Sequence, residues 1–111
     1  PRQVVEQLEQ EIVYAMDTLS VYDLMSTFAE VLERPRFKQI TIFREDYGVE
    51  QARGWIRERL ADGAQPLADL LYEQGDIFSL ITTFVAVLEM IKEEQVIFQR
   101  EGSKVVIALE A

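Results

Sequence analysis

The sequence predicts an α+β chain in which a helical arm precedes three helices and a C-terminal β-hairpin. Three observations carry this prediction. Apolar residues recur at helical spacing in several segments, glycine and proline separate those segments, and two apolar runs near the C-terminus flank a Gly-Ser pair. We therefore divide the chain into an arm with its connector, residues 1–47, and a domain of three helices and a hairpin, residues 48–111.

The arm is predicted to be helical from residue 1 to about residue 36, with a break at Thr18-Leu19-Ser20 and a second helix over residues 21–34. Its apolar stripe consists of Val21, Leu24, Met25, Phe28 and Leu32. Ser20 and Asp23 have the spacing of a capping box at the start of this helix. Pro35 is expected to end it, because the residue before a proline avoids helical geometry.

A connector over residues 37–47 leads into the domain, and its β-branched and aromatic stretch Ile40–Phe43 is expected to be extended. The first domain helix is predicted near 49–61. It ends at Asp62-Gly63, since glycine is a common residue just past a helix C-terminus. The second helix is predicted near 66–74, with Pro66 at its first position and Gly75 after its end.

The third helix is predicted over residues 77–93, with Asp76 as its cap. It is apolar over a wide arc, which predicts that most of its surface is buried. Two strands follow, Val96–Gln99 and Val105–Leu109, and Gly102-Ser103 between them is a two-residue hairpin signal. Three helices followed by a hairpin is the winged-helix arrangement. The predicted core of the domain is Ile56, Leu60, Leu70, Phe78, Ile81, Phe84, Leu88 and Ile91.

The composition argues against an enzyme and against any cofactor or metal. The chain has no His and no Cys, so it has neither a hydrolase triad nor the usual zinc ligands. The five glycines are scattered, and no phosphate-binding loop is formed. Adjacent acids occur at Glu45-Asp46 and Glu93-Glu94, but neighbouring residues point in different directions, so we interpret them as solvated loop acids.

The charge pattern argues against nucleic-acid binding. The net charge is -9, and negative charge repels phosphate. Lys92 is the only base on the predicted third helix, the element that enters the major groove in DNA-binding winged helices. A winged-helix DNA-binding transcriptional regulator is therefore the alternative, not the favoured hypothesis. No apolar run approaches the ~20 residues of a membrane span.

Surplus apolar residues in the hairpin and the arm indicate contacts with other proteins. All five residues of Val105–Leu109 are apolar, whereas a strand with one face in water should alternate. Either both faces are buried within the chain, or one face meets a partner along the edge strand Val96–Gln99. The arm stripe leaves the same two options, packing on the domain or on a partner.

The third helix and the strand after it carry a family resemblance. Thr83–Lys92, with the sequence TFVAVLEMIK, is followed by Val96 and by Phe98-Gln99-Arg100. This pattern resembles the C-terminal signature of the segregation and condensation protein A family, with Met90 and Val85 where leucine is common. The resemblance covers about residues 18–109, and the N-terminal helical domain of the family has no counterpart here.

The resemblance implies a kleisin, a non-enzymatic subunit of a condensin-like SMC complex in chromosome condensation and partition during cell division. We expect a cytoplasmic, nucleoid-associated chain without direct specific nucleic-acid binding, without membrane contact and without a small-molecule substrate. In this family the winged helix docks on an SMC ATPase head, and the preceding segment binds segregation and condensation protein B. The hypothetical head-binding residues are Ile97, Phe98, Gln99, Val105, Val106, Ile107 and Leu109. The hypothetical residues for segregation and condensation protein B are Tyr22, Leu24, Met25, Phe28 and Leu32.

Overall fold

Helices and one small antiparallel sheet make up the described part of the chain, residues 3–5, 21–38 and 47–110 of a computed structural model. After residues 3–5, which are helical, the elements are α1 (Val21–Leu32), a 3-10 turn (Pro35–Phe37), α2 (Val49–Leu60), β1 (Gln65–Pro66), α3 (Leu67–Tyr72), α4 (Ile77–Lys92), β2 (Val96–Glu101) and β3 (Lys104–Leu109). The α+β class is confirmed, and the arrangement is compatible with a winged helix. The predictions for Thr18-Leu19-Ser20, Ile40–Phe43 and Glu45-Asp46 lie outside the described residues.

The cap at each end of α4 follows from local sequence. Asp76 accepts hydrogen bonds from the Ser79 backbone N–H at 2.8 Å and from the Ser79 hydroxyl at 3.2 Å, and so caps the first turn. At the other end Glu94 adopts a left-handed conformation with φ 62°. Its N–H donates to the Ile91 carbonyl, and the N–H of the next residue donates to the Met90 carbonyl, which is the Schellman pattern. The helix therefore stops where the chain must turn into β2.

The sheet has the order β1-β3-β2, so β3 is its central strand and β2 lies at an edge. The hairpin turns at Gly102-Ser103 as predicted, with Glu101 opposite Lys104. Gly102 has φ 65°, which suits glycine at the first central position of a type II′ turn. β1 was not predicted: Gln65 pairs with Ile107 and Pro66 with Val106, which gives β3 a second neighbour.

The core joins both parts of the chain. Leu24, Val31 and Phe37 are buried in the same cluster as the helices and strands of residues 48–110. Hence α1 and the 3-10 turn pack on the domain. The division of the chain at residue 47 remains a prediction.

The predicted core is correct on α2 and α3 and partly wrong on α4. Ile56, Leu60, Leu70 and Phe84 are buried, and Leu88 and Ile91 are half-buried against the core. Phe78 and Ile81, however, are 39% and 43% exposed. The face of α4 that is buried instead consists of Ser79, Leu80, Thr83, Phe84, Ala86, Val87 and Met90. Because α4 is apolar nearly all round, its sequence alone does not fix which stripe turns inward.

We predict that Phe84→Ala lowers the free energy of unfolding by about 3–5 kcal/mol, because it removes a buried ring and leaves a cavity. Ile81→Ala on the exposed side of the same helix is the matched control, with an expected change of about 0.5 kcal/mol or less. Urea unfolding of both variants measures the difference. If both variants lose the same free energy of unfolding, Ile81 is buried as deeply as Phe84 and α4 is rotated about its axis.

Candidate protein-interaction site

The two faces of the hairpin have different environments. On one face Val96, Val105 and Ile107 are buried, and Phe98 and Leu109 pack half-buried against the core. On the other face Ile97 lies opposite Ala108, and Gln99 lies opposite Val106. The sequence left open which face meets the helices. The structure places Phe98 and Ile107 on the inner face and Ile97 and Val106 on the outer one.

The outer face is apolar and slightly concave. Ile97 is 49% exposed, and it lines a small concavity with Ala64, Val106 and Ala108. Ala64 is exposed like Ile97, Ala108 is half-buried, and Val106 is buried with 7% of its surface exposed. A strand whose outer side faces water should carry polar residues on that side. The residues of Val105–Leu109 are all apolar for two different reasons, one for each side of the strand. Val105, Ile107 and Leu109 pack inward, whereas Val106 and Ala108 form part of an outward apolar surface.

The backbone of β2 offers a free edge next to this surface. The N–H of Glu110 donates to the carbonyl of Gln95, which marks a hydrogen-bonded pair of the antiparallel ladder. Such pairs alternate along a strand, so Ile97 and Gln99 direct their backbone groups to β3. Val96, Phe98 and Arg100 direct theirs away from β3, and in the described part of the chain no strand pairs with them. The backbone N–H and C=O groups of these three residues could therefore form hydrogen bonds with an added strand.

The five predicted partner residues of the arm divide between the core and the surface. Leu24 is buried, and Phe28 and Leu32 pack half-buried on the domain. The ring of Phe28 stacks on that of Phe84 with 4.5 Å between centroids, which fastens α1 to α4. Tyr22 and Met25, which are 76% and 47% exposed, remain available on the outer side of α1 together with Val21.

A buried arginine, which the sequence analysis missed, joins α2 to α4. Arg53 Nη2 lies 2.7 Å from Glu89 Oε1 and 2.6 Å from Glu93 Oε2, and Nη1 lies 2.9 Å from Glu93 Oε1. The interpretation of Glu93 as a merely solvated acid is therefore wrong. The spacing of Glu89 and Glu93, four residues apart on one helix, was the available signal.

The two partners stabilise each other's charged forms. Hydrogen bonds, first to Glu93 and then to Glu89, raise the pKa of Arg53 above its ordinary value. The hydrogen bonds from Arg53 are the main cause that lowers the pKa of Glu93. The cluster is structural in character, because a bidentate arginine holds two helices at a fixed distance and leaves few carboxylate oxygens for a ligand.

The surface of α4 is unlike that of a helix that reads DNA. Its exposed residues are Phe78, Ile81, Val85 and Lys92, so a single base accompanies three apolar side chains. In the described residues no group of three or more acidic side chains is arranged to hold a metal ion. No helix of that part of the chain has the length and apolar content needed to span a membrane.

Comparison with known proteins agrees with the resemblance seen in the sequence. Segregation and condensation protein A of Bacillus velezensis is 29% identical over 101 residues, which cover 87% of this chain and 38% of the relative. The Streptococcus pneumoniae protein of the same name is 33% identical over 100 residues, 86% of this chain and 40% of the relative. The resemblance to segregation and condensation protein A is confirmed.

Further matches extend the same relationship. Segregation and condensation protein A of Streptococcus mitis is 32% identical over 108 residues, or 93% of this chain and 43% of the relative. The chain thus spans about two fifths of the length of the relatives it matches, consistent with a C-terminal part. No family model matches the chain, and no solved structure does.

We predict a pH dependence from the Arg53–Glu93 pair. The pKa of Glu93 is lowered from its ordinary value of 4.5, so the unfolded chain takes up this proton before the folded chain does. The stabilisation is complete above pH 4.5 and is lost as the pH falls through the lowered pKa. Glu93→Gln should therefore lower Tm at neutral pH, and the difference from the parent chain should shrink below pH 4.5.

Glu94→Gln is the matched control for this experiment, since Glu94 is exposed and adjacent. Thermal unfolding of the three chains between neutral and acidic pH gives the comparison. If Glu93→Gln and Glu94→Gln change Tm equally at neutral pH, the pairing with Arg53 does not stabilise the fold.

Proposed function

We propose that the chain is the winged-helix part of a kleisin that links an SMC ATPase head to segregation and condensation protein B. It would act without catalysis in chromosome condensation and partition during cell division, in the cytoplasm and on the nucleoid. The proposal is supported by the names of the relatives and by the surface of the hairpin. The relatives carry names that state segregation and condensation, and the hairpin combines an apolar outer face with an unpaired strand edge.

The observation that carries the proposal is the outer side of the hairpin. In our proposal a strand of the SMC head adds to the edge of β2 and pairs with the backbone groups of Val96, Phe98 and Arg100. Main-chain hydrogen bonds then supply generic affinity, and side chains set beside Ile97 and Val106 supply specificity. Of the seven hypothetical head-binding residues, Ile97 and Gln99 are exposed and would make side-chain contacts, and Val106, which is 7% exposed, would line the floor of the contact. Phe98, Val105, Ile107 and Leu109 would support the strand from within the core.

We predict that Ile97→Asp leaves the domain folded and weakens its binding to a purified SMC head domain at least about tenfold, because a carboxylate would be desolvated in an apolar contact. Ile107→Asp should instead unfold the domain, since Ile107 is fully buried. Co-elution on gel filtration, with circular dichroism as the fold control, separates the two effects. Unchanged binding by a folded Ile97→Asp variant would exclude the outer face as the docking surface.

For segregation and condensation protein B we propose the outer side of α1, with Tyr22 and Met25 as contacts. Leu24, Phe28 and Leu32 would position the helix, because they pack on the domain. This assignment is narrower than the stripe proposed from the sequence. It uses Met and aromatic side chains, which protein interfaces favour.

We predict that Met25→Asp abolishes binding to segregation and condensation protein B and leaves Tm nearly unchanged. Phe28→Asp should lower Tm strongly, because it breaks the stack on Phe84. Isothermal titration with the purified partner measures the first effect and thermal unfolding the second. Full binding by Met25→Asp would place the partner elsewhere on the chain.

The second candidate, a winged-helix DNA-binding regulator, has only the element order in its favour. From Asp76 to the C-terminus six acids outnumber three bases, and the exposed face of α4 is apolar. We predict no gel shift of duplex DNA at low micromolar chain near physiological salt, whereas non-specific binders reach roughly 10⁻⁴–10⁻⁶ M through counterion release. A shift that disappears steeply with added salt would favour the regulator instead.

A further inference from the structure

Two arginines hold one partly exposed tyrosine where the end of α1 meets α3. The guanidinium carbon of Arg34 lies 4.4 Å from the centroid of the Tyr72 ring, and that of Arg36 lies 5.1 Å from it. Both positive charges therefore lie within one Debye length of each other, about 10 Å at 0.1 M salt. Two like charges so close repel each other unless an anion or a π face compensates them.

No carboxylate of the described residues forms an ion pair with either arginine. The acids next to Arg34 and Tyr72 in the sequence are engaged by other bases: Glu33 Oε2 lies 3.4 Å from Lys38 Nζ, and Glu73 pairs with Arg59. In a chain with 20 acids and 11 bases, two neighbouring unpaired guanidiniums are unexpected. Their compensation within the described part of the chain comes from aromatic rings and, for Arg36, from the Tyr72 carbonyl oxygen.

The two arginines differ in how much of their hydrogen-bonding capacity is used. Arg36 Nη1 donates to the Tyr72 carbonyl at 3.1 Å, at the C-terminal end of α3, so this side chain also fastens the 3-10 turn to that helix. The Arg34 side chain donates no hydrogen bond to a described residue, and it is exposed. A guanidinium has five N–H donors in a rigid fork that matches a carboxylate. Stacking on Tyr72 holds this fork in place, which lowers the entropy lost when a partner binds.

We propose that Arg34, Arg36 and Tyr72 form a docking site for an acidic peptide segment of a partner protein. One or two carboxylates would be held by the two guanidiniums, and an apolar neighbour would pack on Tyr72, which is 39% exposed. Tyr and Arg are the residue types that dominate binding energy in protein interfaces. A nucleic-acid strand fits less well, because its further phosphates would extend over a chain of net charge -9.

The test uses a fluorescent synthetic peptide rich in Asp and Glu with one Leu, and a counterpart in which Asn and Gln replace the acids. Anisotropy is recorded near physiological salt, where distant acids of the chain are screened. We expect the acidic peptide to bind and its counterpart not to bind. Arg34→Gln should weaken binding at least about tenfold. The change in Tm should be small, because the Arg34 side chain is exposed and its contact with Tyr72 is a single exposed cation–π interaction.

Arg57→Gln is the matched control, since it removes one exposed positive charge from α2 and should leave the affinity unchanged. Equal affinity of the parent chain and Arg34→Gln overturns the proposal, and so does the absence of binding at millimolar peptide. A single-stranded oligothymidylate is titrated in parallel. Tighter binding of this strand than of the peptide, lost in Arg34→Gln, would show a nucleic-acid site and also contradict the proposal.

Discussion

The position of β3 in the middle of the sheet determines much of this structure. It pairs with β2 along its whole length and with the two-residue β1 at Val106 and Ile107, so it has a neighbouring strand on both edges. Its side chains then determine which face of the hairpin packs on the core and which face points outward. Ile107 and Val105 turn toward the helices and anchor the hairpin to the core. As a consequence Val106 and Ala108 must face outward, and β2 must be an edge. The proposed docking surface is thus a result of how the core is closed.

Two interactions hold other helices against α4, and each has a different physical basis. The Phe28–Phe84 stack brings the arm helix onto α4 through apolar burial and ring geometry. The Arg53 cluster ties α2 to α4 through charge-assisted hydrogen bonds from a buried guanidinium to two carboxylates. Because both converge on α4, its inward face is fixed, and Phe78, Ile81 and Val85 are left toward solvent.

Local sequence signals predicted the order of elements well. Gly102-Ser103, Asp76 and the apolar spacing on α2 each determine structure within a few residues, and helices and hairpin lie where these signals placed them. The rotation of α4 about its own axis depends on contacts between distant parts of the chain, and so does the formation of the two-residue β1. Residue spacing along the sequence does not encode such contacts. The proposed partner site stays a prediction, and the sequence assigned it to the hairpin without deciding between the two faces. Phe98 differs from its neighbour Ile97, and Ile107 from its neighbour Val106, only in the side of the strand that it occupies, and all four residues are apolar.

Amide hydrogen exchange along β2, followed by NMR with and without a purified SMC head domain, tests the central claim most directly. The N–H groups of Ile97 and Gln99 pair with β3 and should exchange slowly in both states. Those of Val96, Phe98 and Arg100 face the edge and should change from fast to slow exchange in the complex, because an added strand would accept their hydrogen bonds. A complex that forms while these three amides continue to exchange rapidly would contradict docking by strand addition.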